Sequence, residues 1–163
     1  MGIKMLVMDV DGTLTDGRIY IGPNGETMKA FDVKDGYGIV HLKKYGIIPV
    51  IITGRNSAIV ENRMRELQIE ECYQGVDNKL KKLKEVAQKY RIRPEEIAYI
   101  GDDLNDLQCI CFSGVSGCPG DALPEIRSRV KYVCKSDGGR GAVREFIDFL
   151  KGVSDRERER NEE

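Results

Sequence analysis

Residues Met5 to Thr15 read MLVMDVDGTLT, an apolar run that leads straight into two aspartates separated by one valine. A short uninterrupted apolar run such as Met5–Met8 is typical of a strand that helices cover on both faces of a parallel sheet. Asp9 and Asp11 follow at the carboxyl end of this strand, where open parallel sheets build their functional sites. The stretch therefore predicts an α/β fold with carboxylate chemistry at the end of its first strand.

The rest of the chain repeats this alternation of apolar runs and helical patterns. Further strands are predicted at residues 47–52, 72–73, 97–100, 114–115 and 132–134, with helical spacing of apolar residues between them. The alternation predicts a three-layer, doubly wound parallel sheet of the Rossmann-like type. Residues 18–32 break it, because two strand-like stretches flank Gly22–Gly25, and Asn24-Gly25 is a strong hairpin signal. We therefore expect a β-hairpin inserted after the first strand.

Composition limits the possible classes of function. The 163 residues correspond to one domain, predicted at 1–152, followed by a disordered charged tail at 153–163. With 26 Lys+Arg against 27 Asp+Glu, the net charge of −1 provides no electrostatic footprint for a nucleic acid or an anionic membrane. The run 47–52 is too short to cross a bilayer, and the N-terminal run is too short for a signal peptide. These features predict a cytoplasmic protein with neither nucleic-acid nor membrane partners.

Carboxylates are the main candidates for chemistry. The five cysteines lack the usual metal or redox spacings, and His41 is the single histidine, so a Ser-His-Asp triad is nearly excluded. Polar groups that follow predicted strands or open a helix are Thr53, Arg55, Lys79, Asp102, Asp103 and Asp106. Each alone could be a turn or a cap, but carboxylates gathered at one edge of a sheet need a cation to offset their burial. Oxygen ligands favour Mg²⁺.

The order of these motifs, Asp9-x-Asp11-Gly-Thr, then Thr53, then Lys79, then Gly-Asp102-Asp103-x-x-Asp106, resembles the haloacid dehalogenase-like phosphohydrolase superfamily. The resemblance implies that Asp9 is a nucleophile that forms an aspartyl-phosphate. It implies that Asp11 protonates the leaving alkoxide and then accepts a proton from water.

The same resemblance implies a Mg²⁺ ion held by Asp9, the backbone carbonyl of Asp11 and the side chain of Asp102. Thr53 and Lys79 would bind the phosphoryl oxygens, which offsets the repulsion between an anionic nucleophile and an anionic phosphate. Asp103 and Asp106 would support the metal ligands.

Members of this superfamily usually carry a cap domain after the first motif or between the second and third. Here 41 residues separate Asp11 from Thr53 and 25 separate Thr53 from Lys79, too few for a cap. The molecule should be capless, and a partner should then shield its open site from water. Because an isolated hairpin is marginal in water, its apolar side chains must pack on their own domain or on other subunits; we favour other subunits.

More narrowly, residues 11–17, 31–39, 53–55 with Arg63, and 138–145 resemble the capless 3-deoxy-D-manno-octulosonate 8-phosphate phosphatases. The resemblance implies a Mg²⁺-dependent homotetramer, assembled through the hairpin, that acts on a phosphorylated sugar acid in lipopolysaccharide biosynthesis. Its substrate-binding residues would be Asp32, Val33, Lys34, Asp35, Gly36, Arg55, Arg63 and Lys79. Arg63 has an alternative interpretation as a solvated helix residue.

Two other functions share features with this sequence. Close relatives act on nine-carbon sialic-acid-type 9-phosphates, but at least some of them carry an acidic residue at the position of Arg55, so Arg55 favours the octulosonate. A phospho-accepting receiver domain, a signalling module, shares the sheet type and the Asp, Thr and Lys set. Its motif order differs, since Lys79 here precedes the Gly-Asp-Asp, and Asp11 supplies an acid that a long-lived phosphate does not need. An inactive scaffold is disfavoured because every motif position is filled.

Overall fold

A six-stranded parallel sheet forms the centre of the computed structural model, which describes the backbone of residues 2–162 and the side chains of residues 2–153. In chain order the elements are β1 (Met5–Met8), β2 (Tyr20–Gly22), β3 (Gly25–Met28), α1 (Val33–His41), β4 (Ile48–Ile52), α2 (Ala58–Glu66), β5 (Glu71–Tyr73), α3 (Lys79–Lys89), β6 (Ile97–Ile100), α4 (Leu107–Phe112), β7 (Val115–Cys118), α5 (Pro124–Arg127), β8 (Tyr132–Val133) and α6 (Ala142–Glu162). Short 3-10 turns occupy Leu42–Tyr45, Pro94–Glu96 and Leu104–Asp106. Every predicted strand is present, with bounds that differ from the prediction by a few residues at most.

The strand order is β5-β4-β1-β6-β7-β8, so β1 lies in the middle of the sheet. At its carboxyl end Met8 is paired with Ile51 of β4 on one side and with Ile100 of β6 on the other. The chain adds β4 and β5 on one side of β1 and β6 to β8 on the other. Such a reversal opens a crevice at the carboxyl ends of the strands, which is where doubly wound sheets bind ligands. The predicted fold class is confirmed.

Helices cover both faces of the sheet, and β1 shows why its sequence is apolar throughout. Leu6 and Met8 belong to a core formed with α1, α2 and α6. Met5 and Val7 belong to the core on the opposite face, formed with α3, α4 and α5. Because successive side chains of a strand alternate between faces, a strand between two helical layers buries all of them.

No cap domain is inserted in the described chain between β1 and α3. The first interval holds the hairpin and α1, and the second holds α2 and β5. The prediction of a capless molecule, drawn from the length of these intervals, is confirmed.

The hairpin forms a separate two-stranded antiparallel sheet of β2 and β3. Gly22 pairs with Gly25, so the turn residues are Pro23 and Asn24, one position earlier than an Asn24-Gly25 turn. Gly25 has φ +107°, a conformation that favours glycine, and the register of the hairpin shifts between Tyr20 and Ile21. Pro23 suits the first turn position because its ring fixes φ at a negative value.

Helix α6 is assigned through Glu162, whereas the sequence predicts a disordered tail at 153–163. The side chains of 154–163 lie outside the described residues, so the tail and the domain bound at 152 stay predictions. None of the helices in the described part of the chain is long and apolar enough to cross a bilayer.

Candidate active site

Three aspartates meet at the carboxyl ends of β1 and β6. Carboxylate oxygens of Asp9, Asp102 and Asp106 lie within 4.8 Å of one another. The loop after β1 closes directly on this group, since Thr13 Oγ1 donates to Asp102 Oδ1 over 3.0 Å. Gly12 has φ +89°, and a Cβ there would lie 2.0 Å from Asp102 Oδ2, so this position requires glycine. The Asp9-x-Asp11-Gly-Thr motif and the Gly-Asp102-Asp103-x-x-Asp106 motif, which are far apart in sequence, therefore form one site.

Lys79 is the cation of this aspartate cluster. It is the first residue of α3, whose N-terminus is capped by the side chain of Asn78. Its buried Nζ lies 2.9 Å from Asp9 Oδ1 and 2.8 Å from Asp106 Oδ1. The helix start therefore aims the ammonium group between the nucleophile candidate and the last aspartate of the Gly-Asp-Asp motif.

Asp106 is an anchor for the cluster. It is fully buried, and its Oδ2 accepts hydrogen bonds from the backbone N–H groups of Asp102 and Asp103 at 3.0 and 3.2 Å. Its Oδ1 accepts from the hydroxyl of Tyr99 at 2.6 Å in addition to Lys79. Tyr99 looks like a plain core residue in the sequence, so its part in the site was missed.

Electrostatics make the cluster receptive to a cation. Burial and the charge of Asp106 raise the pKa of Asp9 to about 6. Burial and the charges of Asp9 and Asp106 raise the pKa of Asp102 to about 8. Both shifts report that a further negative charge here is costly without a counter-charge.

The hairpin contributes two charged residues that sequence reasoning missed. Lys29, which follows β3, has a fully buried side chain whose Nζ lies 2.5 Å from Asp11 Oδ1 and 2.8 Å from Glu26 Oε1. Glu26 Oε2 accepts from Ser57 Oγ over 2.5 Å. The available signal was a pair of opposite charges, Glu26 and Lys29, three residues apart in the hairpin. The polar edge of the hairpin thus folds over the site of its own chain.

The formal charges of the site leave room for one divalent cation. Five carboxylates face three cationic side chains, an excess of two negative charges: Asp9, Asp11, Glu26, Asp102 and Asp106 against Lys29, Arg55 and Lys79. Carboxylate and carbonyl oxygens are the ligands that Mg²⁺ prefers. The residues present fit a Mg²⁺ site.

The predicted phosphate-binding and substrate-binding residues differ in their burial and in the groups that they contact. Thr53 is buried at the end of β4, beside β1. The Arg55 side chain is half-exposed, with Nε 3.9 Å from Asp11 Oδ2. Arg63 pairs with Glu66 over 2.8 Å, and its guanidinium lies 5.7 Å from the ring centre of Phe31.

The segment 32–36 opens α1. Asp32 caps the helix by accepting from the backbone N–H of Lys34. Val33 and Lys34 are exposed, and Gly36 is buried so close to Arg63 that a Cβ there would lie 2.5 Å from its Nη2. Arg63 therefore lies beside this segment and is not a freely solvated helix residue.

Two predicted site residues have other contacts. Asp35 is 1% exposed, and its Oδ1 accepts from the backbone N–H of Arg144 over 2.8 Å, which ties α1 to the start of α6. Asp103 is exposed and caps the turn Leu104–Asp106 by accepting from the backbone N–H of Leu104. The Asp35 carboxylate thus faces α6, and the Asp103 carboxylate lies outside the cluster of Asp9, Asp102 and Asp106.

Known proteins resemble this chain along most of its length. A model of the haloacid dehalogenase-like hydrolase family matches residues 72–147. Over 148 residues the chain is 47% identical to the 3-deoxy-D-manno-octulosonate 8-phosphate phosphatase of Escherichia coli K12, covering 91% of this chain and 79% of that protein.

Solved structures extend the similarity to the fold. The phosphatase of the same name from Yersinia pestis superposes with a TM-score of 0.91 at 43% identity, covering 94% of this chain and 83% of the other. The Moraxella catarrhalis phosphatase, solved with a magnesium ion, a phosphate ion and a KDO molecule, gives a TM-score of 0.87 at 42% identity, covering 91% and 85%.

Proposed function

Because the chain belongs to the 3-deoxy-D-manno-octulosonate 8-phosphate phosphatases of the haloacid dehalogenase-like superfamily, we propose that it hydrolyses this phosphomonoester to the free sugar acid and phosphate. The observation that carries the proposal is the arrangement of Asp9 and Asp11 at the end of β1, with Asp102 and Lys79 against Asp9. A product of this kind fits a role in lipopolysaccharide biosynthesis.

Asp9 and Asp11 divide the chemistry between them. The Asp9 carboxylate attacks phosphorus and forms an aspartyl-phosphate, while the Asp11 carboxyl gives its proton to the departing sugar alkoxide. Asp11 then removes a proton from the water that hydrolyses the aspartyl-phosphate, which restores both carboxyl groups. The burial of Asp9 and the partial exposure of Asp11 suit these roles, since the second residue must be reached by the leaving group and by the hydrolytic water.

The cations of the site bind and orient the phosphate. Asp9, the backbone carbonyl of Asp11 and Asp102 would hold Mg²⁺, and Lys79 with Thr53 would bind phosphoryl oxygens. Bound Mg²⁺ neutralises charge on the phosphate and so lets an anionic nucleophile approach it. Asp106 keeps Lys79 and the backbone of Asp102 in place through the contacts described above.

Arginines at the rim give the site its preference for a sugar acid. Arg55 and Arg63 would bind the remote carboxylate and hydroxyl groups, together with the segment 32–36. Two features support this: the half-exposed guanidinium of Arg55 near Asp11, and the buried Nε of Arg63, for which the described residues supply no hydrogen-bond partner. The planar fork of arginine matches a carboxylate.

We also propose that the chain forms a homotetramer through residues 18–32. Ile21 and Met28 are 75% and 55% exposed on the hairpin, while Phe31 packs on the core of its own domain. The polar edge of the hairpin is anchored on its own active site, which leaves the apolar side chains for other subunits. A cytoplasmic location is proposed as well, because all five cysteines are free thiols.

A substrate panel tests the function. The eight-carbon sugar acid 8-phosphate should have the highest kcat/KM, ahead of a sialate 9-phosphate, hexose phosphates and p-nitrophenyl phosphate, because remote binding energy promotes turnover at phosphorus. A preference of tenfold or more for the nine-carbon substrate would replace the proposed substrate with that one.

Arginine variants measured on the same substrates test which residues bind the sugar acid. Arg55→Ala and Arg63→Ala should each lower kcat/KM for the sugar acid by about one to two decades, the effect of losing a charge-assisted contact of roughly 1.5–3 kcal/mol. The generic ester should change little. Arg65→Ala is the matched control, since Arg65 is an exposed arginine of α2, the helix that carries Arg63. Equal losses on both esters would mean that these arginines hold the phosphate or the fold.

A further inference from the structure

Lys29 is a buried ammonium group held between two carboxylates. Its side chain has no exposed surface, while those of Asp11 and Glu26 keep 20% and 15% of theirs. A buried lysine is costly unless it is well paired. The fold of the hairpin therefore pairs Lys29 with Asp11, the general acid and base of the proposed reaction.

The two oxygens of Asp11 have different surroundings. Oδ1 accepts from Lys29 Nζ at 2.5 Å, whereas Oδ2 has Arg55 Nε at 3.9 Å, beyond hydrogen-bond distance. An oxygen that accepts a hydrogen bond from an ammonium group is the poorer place for a proton. The transferable proton then belongs on Oδ2, and Lys29 fixes which way this oxygen faces.

Glu26 connects the same lysine to the opposite wall of the site. Its Oε1 pairs with Lys29, and its Oε2 accepts from Ser57 Oγ, the N-cap of α2. The path Asp11–Lys29–Glu26–Ser57 thus spans from the loop after β1 to the loop after β4 across the hairpin. Such a path holds the Asp11 carboxyl group in one orientation.

We propose that Lys29 is a positioning residue for leaving-group protonation: it orients the carboxyl of Asp11 so that Oδ2 delivers the proton, and Glu26 holds Lys29 in place. The inference rests on the proposed function, in which Asp11 is the general acid. It differs from a purely structural role, in which Lys29 and Glu26 only fasten the hairpin.

Leaving-group basicity separates the two roles. A weakly basic phenolate such as p-nitrophenolate departs without a proton, whereas a strongly basic leaving group needs one from Asp11. The parameter to measure is kcat/KM, because it covers the steps up to departure of the alcohol and omits the shared hydrolysis of the aspartyl-phosphate. Substituted phenyl phosphates vary this basicity with little change of shape and without sugar-binding contacts.

In the holoenzyme with saturating Mg²⁺, Lys29→Met should make kcat/KM fall more steeply as leaving-group basicity rises. We expect phenyl phosphate to lose about tenfold more than p-nitrophenyl phosphate, a fraction of the 10²- to 10⁴-fold that general acids supply. Lys29→Arg, which keeps the cation, should restore most of the wild-type slope. Lys82→Met is the matched control, since Lys82 forms an exposed ion pair on α3.

Parallel losses across the series, or no loss at all, would overturn the inference. If Lys29→Met does not fold, Glu26→Gln gives the answer, because it removes one of the two charges that hold Lys29 while leaving the lysine in the chain. An unchanged slope in that variant would also overturn the inference. Failure of the proposed function has a different signature: the wild-type protein would not hydrolyse the sugar acid phosphate, or Asp9→Asn would keep its activity.

Discussion

Asp9 carries the most direct test of the reaction at the scale of single residues. Asp9→Asn keeps the side-chain volume but replaces the nucleophilic carboxylate by an amide, so turnover should fall by about 10³-fold or more. The fold should survive, because the variant removes a buried negative charge from a cluster that already raises the pKa of Asp9 to about 6. Measurements of kcat and of melting temperature on the same preparation check both statements. Near wild-type turnover in the variant would rule out Asp9 as the nucleophile.

Asp35 gives a prediction about stability. Burial, opposed by the hydrogen bond from Arg144, raises its pKa from 3.8 to about 6. The folded state then holds this proton more tightly than the unfolded chain, so the contribution of Asp35 to the free energy of unfolding falls as the pH rises from about 4 to 6. About 2 pKa units at 1.36 kcal/mol each set a ceiling of roughly 3 kcal/mol.

Asp35→Asn should therefore gain stability relative to the wild type as the pH rises from 4 to 7, since the amide oxygen still accepts from Arg144 without carrying charge. Denaturant unfolding at several pH values measures the difference. Asp148→Asn, an exposed carboxylate on α6, is the control. A difference that stays constant across this range would contradict the account of Asp35.

Residues of the site differ in how well the sequence predicts them, for a physical reason. Asp9, Asp102 and Lys79 follow strands or open a helix, and parallel topology brings such positions together. Lys29 reaches the site because the hairpin packs over it, and the local sequence of the hairpin does not specify that packing. The contacts of Asp35 were not predictable either: the start of α1 has two sides, and the sequence does not say whether a side chain there faces the crevice or α6, where Asp35 accepts from Arg144.

The hairpin is the element whose packing the isolated chain leaves incomplete. Ile21→Asp combined with Met28→Asp places charges on its exposed apolar face and should dissociate the proposed tetramer. Light scattering at micromolar concentration measures the mass. Tyr45→Asp is the control, because Tyr45 is 54% exposed and precedes β4 at the opposite end of the sheet from the site. A wild-type monomer with full activity would show that the hairpin needs no other subunit.

Elements of the sheet were predictable because their burial on both faces leaves uninterrupted apolar runs, as in β1 and β6. The turn of the hairpin was less predictable than the strands of the sheet. Asn24-Gly25 indicates a two-residue turn, but Pro23 in front of it offers a better first position, and Gly25 instead pairs with Gly22 at the start of β3. Because two turn signals compete within four residues, the sequence predicts that a hairpin exists but does not determine its register.

At the scale of the whole molecule, the excess of two negative charges in the site predicts how metal affinity depends on pH. Burial with neighbouring carboxylates raises the pKa values of Asp9 and Asp102 to about 6 and about 8. Below these values the metal-free protein holds protons that Mg²⁺ must displace. Apparent affinity should therefore increase as the pH rises from 6 to 8, by up to about tenfold per pH unit for each displaced proton.

Calorimetric titration of the metal-free protein with Mg²⁺ at pH 6, 7 and 8 measures this dependence, and buffers of different ionisation enthalpy count the protons released. Asp102→Asn should weaken binding and remove most of the pH trend, because the amide cannot hold the proton in question. An affinity independent of pH, with no proton release, would contradict this account, because it would mean that Asp9 and Asp102 are already ionised in the metal-free protein. A chelator should abolish turnover, and added Mg²⁺ should restore it, because the three cationic side chains leave the five carboxylates with an excess of two negative charges.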